Sequence, residues 1–226
     1  MNKTTTENRY VKILSTAVHL EGILGVPEDS KGLVVFVHGS GSSRHSPRNQ
    51  YVAQMLQEGG LATLLFDLLT AEEEEIDLQT RRLRFDIDLL ARRTSGVLEW
   101  LAEQPNLSQQ RIGLFGSSTG AAAALIAAAT LPDRVQAVVS RGGRPDLAGK
   151  ALSQVQAPTL LIVGGNDEAV IRLNEQALAH LQPGEEKTLV IVPGASHLFE
   201  EPGTLEHAAR LATEWFQRHL SQVHVR

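Results

Sequence analysis

The pattern that most narrows the folds open to this chain is Gly116-Ser117-Ser118-Thr119-Gly120, a G-x-S-x-G match. Before it runs Arg111-Ile112-Gly113-Leu114-Phe115, short and apolar enough for a buried strand. After it comes Ala121–Ala129, a run of small or aliphatic residues that favours helix. A strand that enters a helix through so tight a turn holds the middle residue in a strained conformation and lifts its hydroxyl out of the sheet. Gly116 and Gly120 suit the flanks, because a Cβ at either place would clash with neighbouring backbone. Ser118 is therefore a candidate nucleophile. The competing reading is an ordinary glycine-rich loop between strand and helix.

The rest of the chain repeats the strand–helix alternation. Two candidate strands, Tyr10–Leu14 and Val18–Val26, have no helix between them, which predicts an antiparallel pair at one sheet edge. Gly32–His38 is a continuous apolar run, as a strand covered on both faces should be. Pro47–Gly59 reads as a helix with proline in its first turn. Further strands are expected at Leu61–Leu69, Val135–Ser140, Thr159–Val163 and Thr188–Val192, and amphipathic helices at Val170–Leu181 and Leu205–Leu220. Within Thr70–Asn106, Leu83, Ile87, Leu90, Val97 and Leu101 share one helical face. The pattern predicts an α/β fold: a mostly parallel sheet of about eight strands with helices on both faces. Neither a repeat nor an interdomain linker interrupts the 226 residues, so a single domain over 1–226 is expected, with 1–8 a flexible N-terminal extension.

Composition removes several function classes. The chain has no cysteine, which excludes disulfides, thiolate metal sites and a thiol nucleophile. A net charge of −5 argues against nucleic acid, which calls for a basic face. Met1–Arg9 is polar and lacks the apolar core of a signal peptide, and no apolar run approaches the ~20 residues that span a bilayer. A cytoplasmic protein without a membrane partner is the resulting expectation.

A serine hydroxyl is a poor nucleophile at neutral pH and needs a base, which in turn needs an orienting group. In parallel sheets such groups sit beyond the carboxyl ends of strands, in the order Ser, acid, His. After Thr159–Val163 comes Gly164-Gly165-Asn166-Asp167-Glu168, and after Thr188–Val192 comes Pro193-Gly194-Ala195-Ser196-His197. Asp167 is the expected orienting acid, with a helix N-cap role as its competitor. His197 is the expected base, since it alone among the eight histidines follows a late strand through a glycine-containing turn. The oxyanion of acyl transfer needs preplaced N–H donors. One is expected at Thr119. The second is expected at Ser40, with Gly41 in reserve, in the small-residue loop His38-Gly39-Ser40-Gly41-Ser42-Ser43. His38 is read as a brace for that loop. The loop lacks the lysine of a phosphate-cradling G-x-x-x-x-G-K-[ST] motif, and the chain has no G-x-G-x-x-G. Neither a cofactor nor a metal is expected; the run Glu72–Glu75 reads as an acidic helix start.

With Ser118, Asp167 and His197 in this order and the His-Gly loop upstream, the chain resembles the α/β-hydrolase fold, and within it the dienelactone hydrolase family, from about Val18 to Phe216. The stretches HGSGSSRHSPRN (38–49) and SRGGRPDLAG (140–149) resemble a bacterial branch of hydrolases, some members of which are joined to a phosphoribosyltransferase domain. Dienelactone hydrolases proper use a cysteine nucleophile held as a thiolate; the matching position here is Ser118. The resemblance therefore implies a serine hydrolase acting on a small ester or lactone rather than on dienelactone itself. Thioester hydrolysis and acyl transfer would use the same machinery, and a silent hydrolase scaffold that only binds is the rival of a different class.

Arg44 and Arg48 lie in or just after the oxyanion loop, and Arg141 and Arg144 follow the strand Val135–Ser140. Arginines at that edge can grip an anionic group on the small-molecule substrate. Ion pairs with Asp67 and Asp146 are the competing use. Thr70–Arg84 is where a short cap would lie, with Leu83 and Phe85 expected to face inward. The oligomeric state stays open.

Overall fold

The computed structural model describes residues 6–182 and 186–221. Most of the expected N-terminal extension, residues 1–5, lies outside the described residues, and Asn8 already belongs to the first strand. In chain order the elements are β1 (Asn8–Ser15), β2 (Val18–Gly25), β3 (Leu33–Val37), α1 (Pro47–Glu58), β4 (Ala62–Phe66), α2 (Ala71–Thr80) and α3 (Ile87–Glu103). There follow β5 (Ile112–Ser117), α4 (Gly120–Thr130), β6 (Val135–Arg141), β7 (Thr159–Gly164), α5 (Glu168–His180), β8 (Lys187–Val192) and α6 (Thr204–Leu220). Short 3₁₀ segments occupy Leu83–Phe85 and Pro145–Gln154.

The eight strands form one sheet in the order β1-β2-β4-β3-β5-β6-β7-β8. β1 with β2, and β2 with β4, run antiparallel; every other pair is parallel. The sequence expectation of an antiparallel edge pair holds. β3, β4, β5 and β7 are buried along their whole length, which is why they read as unbroken apolar runs. One face packs under α1 and α6 through Val52, Leu56, Ala212 and Phe216, with Phe36 and Phe115 in contact beneath. The other face packs under α3 and α4 through Leu90, Val97, Leu101 and the buried alanines of α4. Alanine at those positions lets α4 lie close on β3, β5 and β6.

The chain lays β4 on one side of β3 and then crosses to place β5 on the other. The loops leaving β3 and β5 therefore part in opposite directions and open a crevice at their carboxyl ends, where ligands bind in open α/β sheets.

One element differs from the sequence reading. Thr70–Thr80 holds a separate helix, α2, started by a capping box in which the Thr70 hydroxyl accepts from the Glu73 N–H and the Glu73 carboxylate accepts from the Thr70 N–H. The glutamate run supplies its first turn, as expected. The helix lacks an apolar stripe, with Ile76 and Leu78 largely exposed, so periodicity alone does not reveal it. Two ion pairs tie it down, Glu73 with Arg93 at 2.6 Å and the fully buried Asp77 with Arg84. Asp77 also accepts from the N–H groups of Leu83 (2.7 Å) and Arg84 (3.1 Å). Removing the carboxylate leaves a largely buried guanidinium and two amides unpaired. Asp77→Ala should cost about 3 kcal/mol, read as a lower urea midpoint at unchanged slope.

Candidate active site

The turn after β5 has the geometry expected of the G-x-S-x-G run. Ser118 is left-handed, with φ of 50°, a region costly for a residue bearing a Cβ. The turn is locked from both sides: the Ser118 N–H donates to the Arg141 carbonyl (3.4 Å), and the Ser118 carbonyl accepts from the Arg144 N–H (2.9 Å). A Cβ on Gly120 would stand 2.2 Å from the Val37 carbonyl oxygen and 2.4 Å from that of His38, and one on Gly116 would stand 2.4 Å from the Ala121 Cα. Backbone thus lies against backbone at the start of α4. The same closeness sets Gly39 against Ser118, where a Cβ would fall 2.9 Å from the Ser118 Cβ.

Asp167 and His197 leave β7 and β8 on neighbouring loops. His197 Nδ1 lies 2.7 Å from Asp167 Oδ2. An ionised carboxylate only accepts, so Nδ1 carries the proton and Nε2 is left as the basic nitrogen. Asp167 stands at the N-cap position of α5, yet its side chain makes no capping hydrogen bond. Its carboxylate goes to the histidine instead. The loops brace each other: the Asn166 side-chain amide donates to the Gly194 carbonyl (2.9 Å), and Glu201 accepts from the Ser196 N–H (2.9 Å). That bond holds the Glu201 carboxyl below its ordinary range. The His197 ring passes close to Gly142, next to the Arg141 carbonyl that receives the Ser118 N–H. Ser118 and His197 are not hydrogen-bonded to each other in the resting molecule, a contact that commonly tightens only when substrate binds.

The loop after β3, expected to supply an oxyanion donor, departs from expectation at one atom. The Ser40 N–H donates to the Thr119 hydroxyl at 3.0 Å, so in this conformation it is already engaged. The Gly41 N–H makes no hydrogen bond among the described residues, and Gly41 is itself left-handed, with φ of 69°. His38 braces the loop as expected: Nδ1 lies 2.9 Å from the Gly39 carbonyl, and Nε2 accepts from the Leu68 N–H at 3.1 Å. Burial holds its pKa below the ordinary histidine value, against smaller opposing effects of Gly39 and Asp67. Arg84, which sequence reasoning missed, extends from the cap region to the oxyanion loop; its Nη1 would stand 3.1 Å from a Cβ on Gly41.

The arginines expected at the rim divide. Arg44 donates its N–H to Asp67 at 2.7 Å and pairs with the same carboxylate through its guanidinium. Arg144 makes two 2.8 Å bonds to Asp146. For these two the ion-pair reading holds. Arg48 reaches Glu200 at 3.5 Å. Arg141 is buried and has no carboxylate partner among the described residues. In the cap region Leu83 packs against the core, but Phe85, expected to face inward, is 57 % exposed. It sits at the end of a single 3₁₀ turn held by Asp77 and by the packing of Leu83. Among the described residues no helix is long and apolar enough to cross a membrane.

The eight-stranded sheet, its crossover at β3 and the elbow after β5 define an α/β hydrolase. The comparisons narrow the class: the dienelactone hydrolase family matches residues 20–222, and the chain belongs to that family. It is 59 % identical to a dienelactone hydrolase of Anabaena variabilis ATCC 29413 of known crystal structure, with 95 % of this chain and 99 % of that one covered and a TM-score of 0.93. It is 58 % identical over 210 residues to a Mycobacterium tuberculosis (strain ATCC 25618 / H37Rv) protein named "Putative phosphoribosyl transferase Rv0571c". The match covers 93 % of this chain but 46 % of that protein, so the chain spans about half the length of the curated relatives it matches. XC6422 of Xanthomonas campestris, a serine hydrolase without lid, shares the fold at 23 % identity, with 97 % and 98 % of the two chains covered and a TM-score of 0.75.

Two outcomes follow from this geometry. Gly120→Ala should cost about 3 kcal/mol or more, or yield insoluble protein, because the new methyl meets carbonyl oxygens that cannot move apart; a urea melt measures it. His38 is held neutral when folded but protonates freely when unfolded, near the ordinary 6.5. Its contribution is therefore full above that value and is lost as pH falls below it. Between about pH 7.5 and about pH 5 the wild type should lose more stability than His38→Asn.

Proposed function

We propose that this hydrolase cleaves a small carboxylic ester or lactone through an acyl-enzyme on Ser118. The observation that carries the reading is the 2.7 Å Asp167–His197 contact beside a left-handed serine at the crossover of the sheet. Asp167 fixes the tautomer that leaves Nε2 basic and stabilises the imidazolium that forms. Ser118 Oγ attacks the carbonyl carbon while its proton passes to His197 Nε2. The tetrahedral oxyanion is met by the Thr119 N–H and by a second donor from the loop after β3. That donor is the Gly41 N–H in the resting conformation, or the Ser40 N–H once it leaves the Thr119 hydroxyl. His197 then protonates the leaving oxygen, and a water, deprotonated by the same nitrogen, releases the acid and restores Ser118. In a lactone the leaving oxygen stays attached, and one hydroxy acid is released.

A fluorophosphonate probe tests the nucleophile directly. It should modify Ser118 alone, and Ser118→Ala should abolish labelling and lower kcat on an activated ester by roughly 10⁴-fold or more. A wild-type protein that stays unlabelled and leaves esters intact would sink the reading.

A further inference from the structure

Ser118 is gripped through two peptide groups of the segment that follows β6. The Arg141–Gly142 peptide accepts from the Ser118 N–H at its carbonyl (3.4 Å) and donates its own N–H to the Ile162 carbonyl (2.8 Å). The Gly143–Arg144 peptide donates its N–H to the Ser118 carbonyl (2.9 Å), and its carbonyl accepts from the Asn174 side-chain amide (3.0 Å). A peptide group is planar, with C=O and N–H pointing in opposite directions. Whatever holds one end therefore aims the other. The segment also lies tight against the elbow: a Cβ on Gly143 would stand 1.9 Å from the Ser140 Oγ and 2.6 Å from the Ala121 Cβ.

Both anchors belong to the unit that carries Asp167. Ile162 lies in β7, Asp167 stands at the N-cap of α5, and Asn174 follows about two helical turns later. The first anchor is backbone, the second a side chain. Asn174 is fully buried, and asparagine is a poor helix former in a helix interior. Its Nδ2 also donates to the Val170 carbonyl (2.8 Å), while Oδ1 has no partner among the described residues. Two carbonyl oxygens around one atom fix that atom as the nitrogen. An apolar side chain of similar shape would fill the position without burying an unpaired acceptor, so packing does not account for an amide here. The bond to Gly143 does.

We propose that Asn174 is a positioning residue for the nucleophile: its amide, acting through the Gly143–Arg144 peptide, holds Ser118 in the left-handed conformation that presents its hydroxyl. The assignment rests on Ser118 being the nucleophile. Helix α5 then carries at its start the carboxylate that orients His197 and, two turns on, the amide that orients Ser118. Base and nucleophile are thus referred to one rigid element. Without the amide the Gly143 carbonyl loses its Asn174 donor, the peptide rotates more freely, and the Ser118 carbonyl loses a steady partner. The left-handed backbone, costly without such support, relaxes.

Asn174→Leu replaces the amide by methyl groups on the same branching. Asn174→Ser, which supplies the answer if the first variant fails to fold, keeps a hydroxyl for the Val170 carbonyl but is too short for Gly143. The readouts are backbone amide exchange by NMR, fluorophosphonate labelling of Ser118, and turnover of p-nitrophenyl acetate. In either variant the Arg144 N–H should exchange at least roughly tenfold faster, with the Gly142 N–H, anchored on β7, unchanged. Labelling rate and kcat should fall together by roughly tenfold or more at unaltered KM, since a misplacement of about 1 Å at a reacting group can cost ~10²-fold. The His197 Nδ1 proton should keep its downfield resonance, because Asp167 is not displaced. Ala177→Gly loosens the same buried face of α5 without altering the amide; it should lower Tm and leave kcat and Arg144 exchange as in the wild type. With a wild type that labels, three results overturn the assignment and keep the nucleophile: unchanged Arg144 exchange, unchanged kcat, or a loss of kcat matched by Ala177→Gly. Loss of the His197 resonance together with activity also overturns it, since Asn174 would then act by holding α5 and not Ser118. Faster Arg144 exchange in a protein whose wild type neither labels nor turns over keeps the brace and removes the nucleophile.

Discussion

The contact on which the rest of the molecule depends is the one between the start of α4 and the end of β3. Gly120 lies so close to the Val37 and His38 carbonyls that no side-chain atom fits between them. This closeness fixes the path of the chain through Ser118, whose left-handed backbone is tolerable only because hydrogen bonds from both sides hold it. It also sets Gly39, in the loop after β3, directly against the Ser118 side chain. A methyl group of extra spacing would separate the serine from the loop after β3. The alanine-rich α4 belongs to the same constraint, since larger side chains on its buried face would lift the helix from the sheet.

Around that contact, loops are held by charge as much as by packing. Asp67 anchors the loop after β3 through Arg44, Asp77 anchors the short segment after α2 through Arg84, and Glu73 ties α2 to the buried Arg93. These pairs lie in elements with little apolar surface of their own. α2 is the clearest case: it exposes Ile76 and Leu78 and depends on its capping box and two ion pairs. The arrangement suits a site whose walls must keep a defined position while one side stays open to solvent. Buried pairs contribute less to net stability than to fixing geometry, because desolvation offsets most of their attraction.

Where hydrophobic pattern and local motif agreed, the sequence was legible. The fully buried strands β3, β5 and β7 read as continuous apolar runs, and Ser118, Asp167 and His197 each stand beyond the carboxyl end of a strand, where a chemical group in a parallel sheet should be. What could not be read was decided by contacts between distant segments. Nothing local to Ser40 says that its N–H is taken by a hydroxyl 79 residues away. Nothing local to Arg44 or Arg141 says which of them finds a carboxylate. Arg44 and Asp67 meet because β3 and β4 are neighbours, and Arg141 faces α1 because of its register on β6. Of helix α2 only the acidic start was legible, for a different reason: its signature is a cap and not a periodicity.

The absence of cysteine gives these contacts a common sense. A thiol can reach the reactive anionic state by its own modest pKa, helped by neighbouring charge, whereas a hydroxyl cannot. A serine at the elbow needs a base with a defined tautomer, and a base in a half-open loop needs something to hold its ring. In the proposed reading the direct Asp167–His197 contact meets both needs, and the Asn166 side chain donates to the Gly194 carbonyl across the two loops. The side chain that follows the nucleophile then acquires a use that a purely apolar residue would lack. In the resting molecule the Thr119 hydroxyl occupies the Ser40 N–H, so the oxyanion loop is held closed on the elbow with its donor satisfied. On the proposed mechanism, the developing oxyanion competes with that hydroxyl for the same N–H. A charged acceptor forms the stronger bond, and the exchange favours the transition state over the resting site.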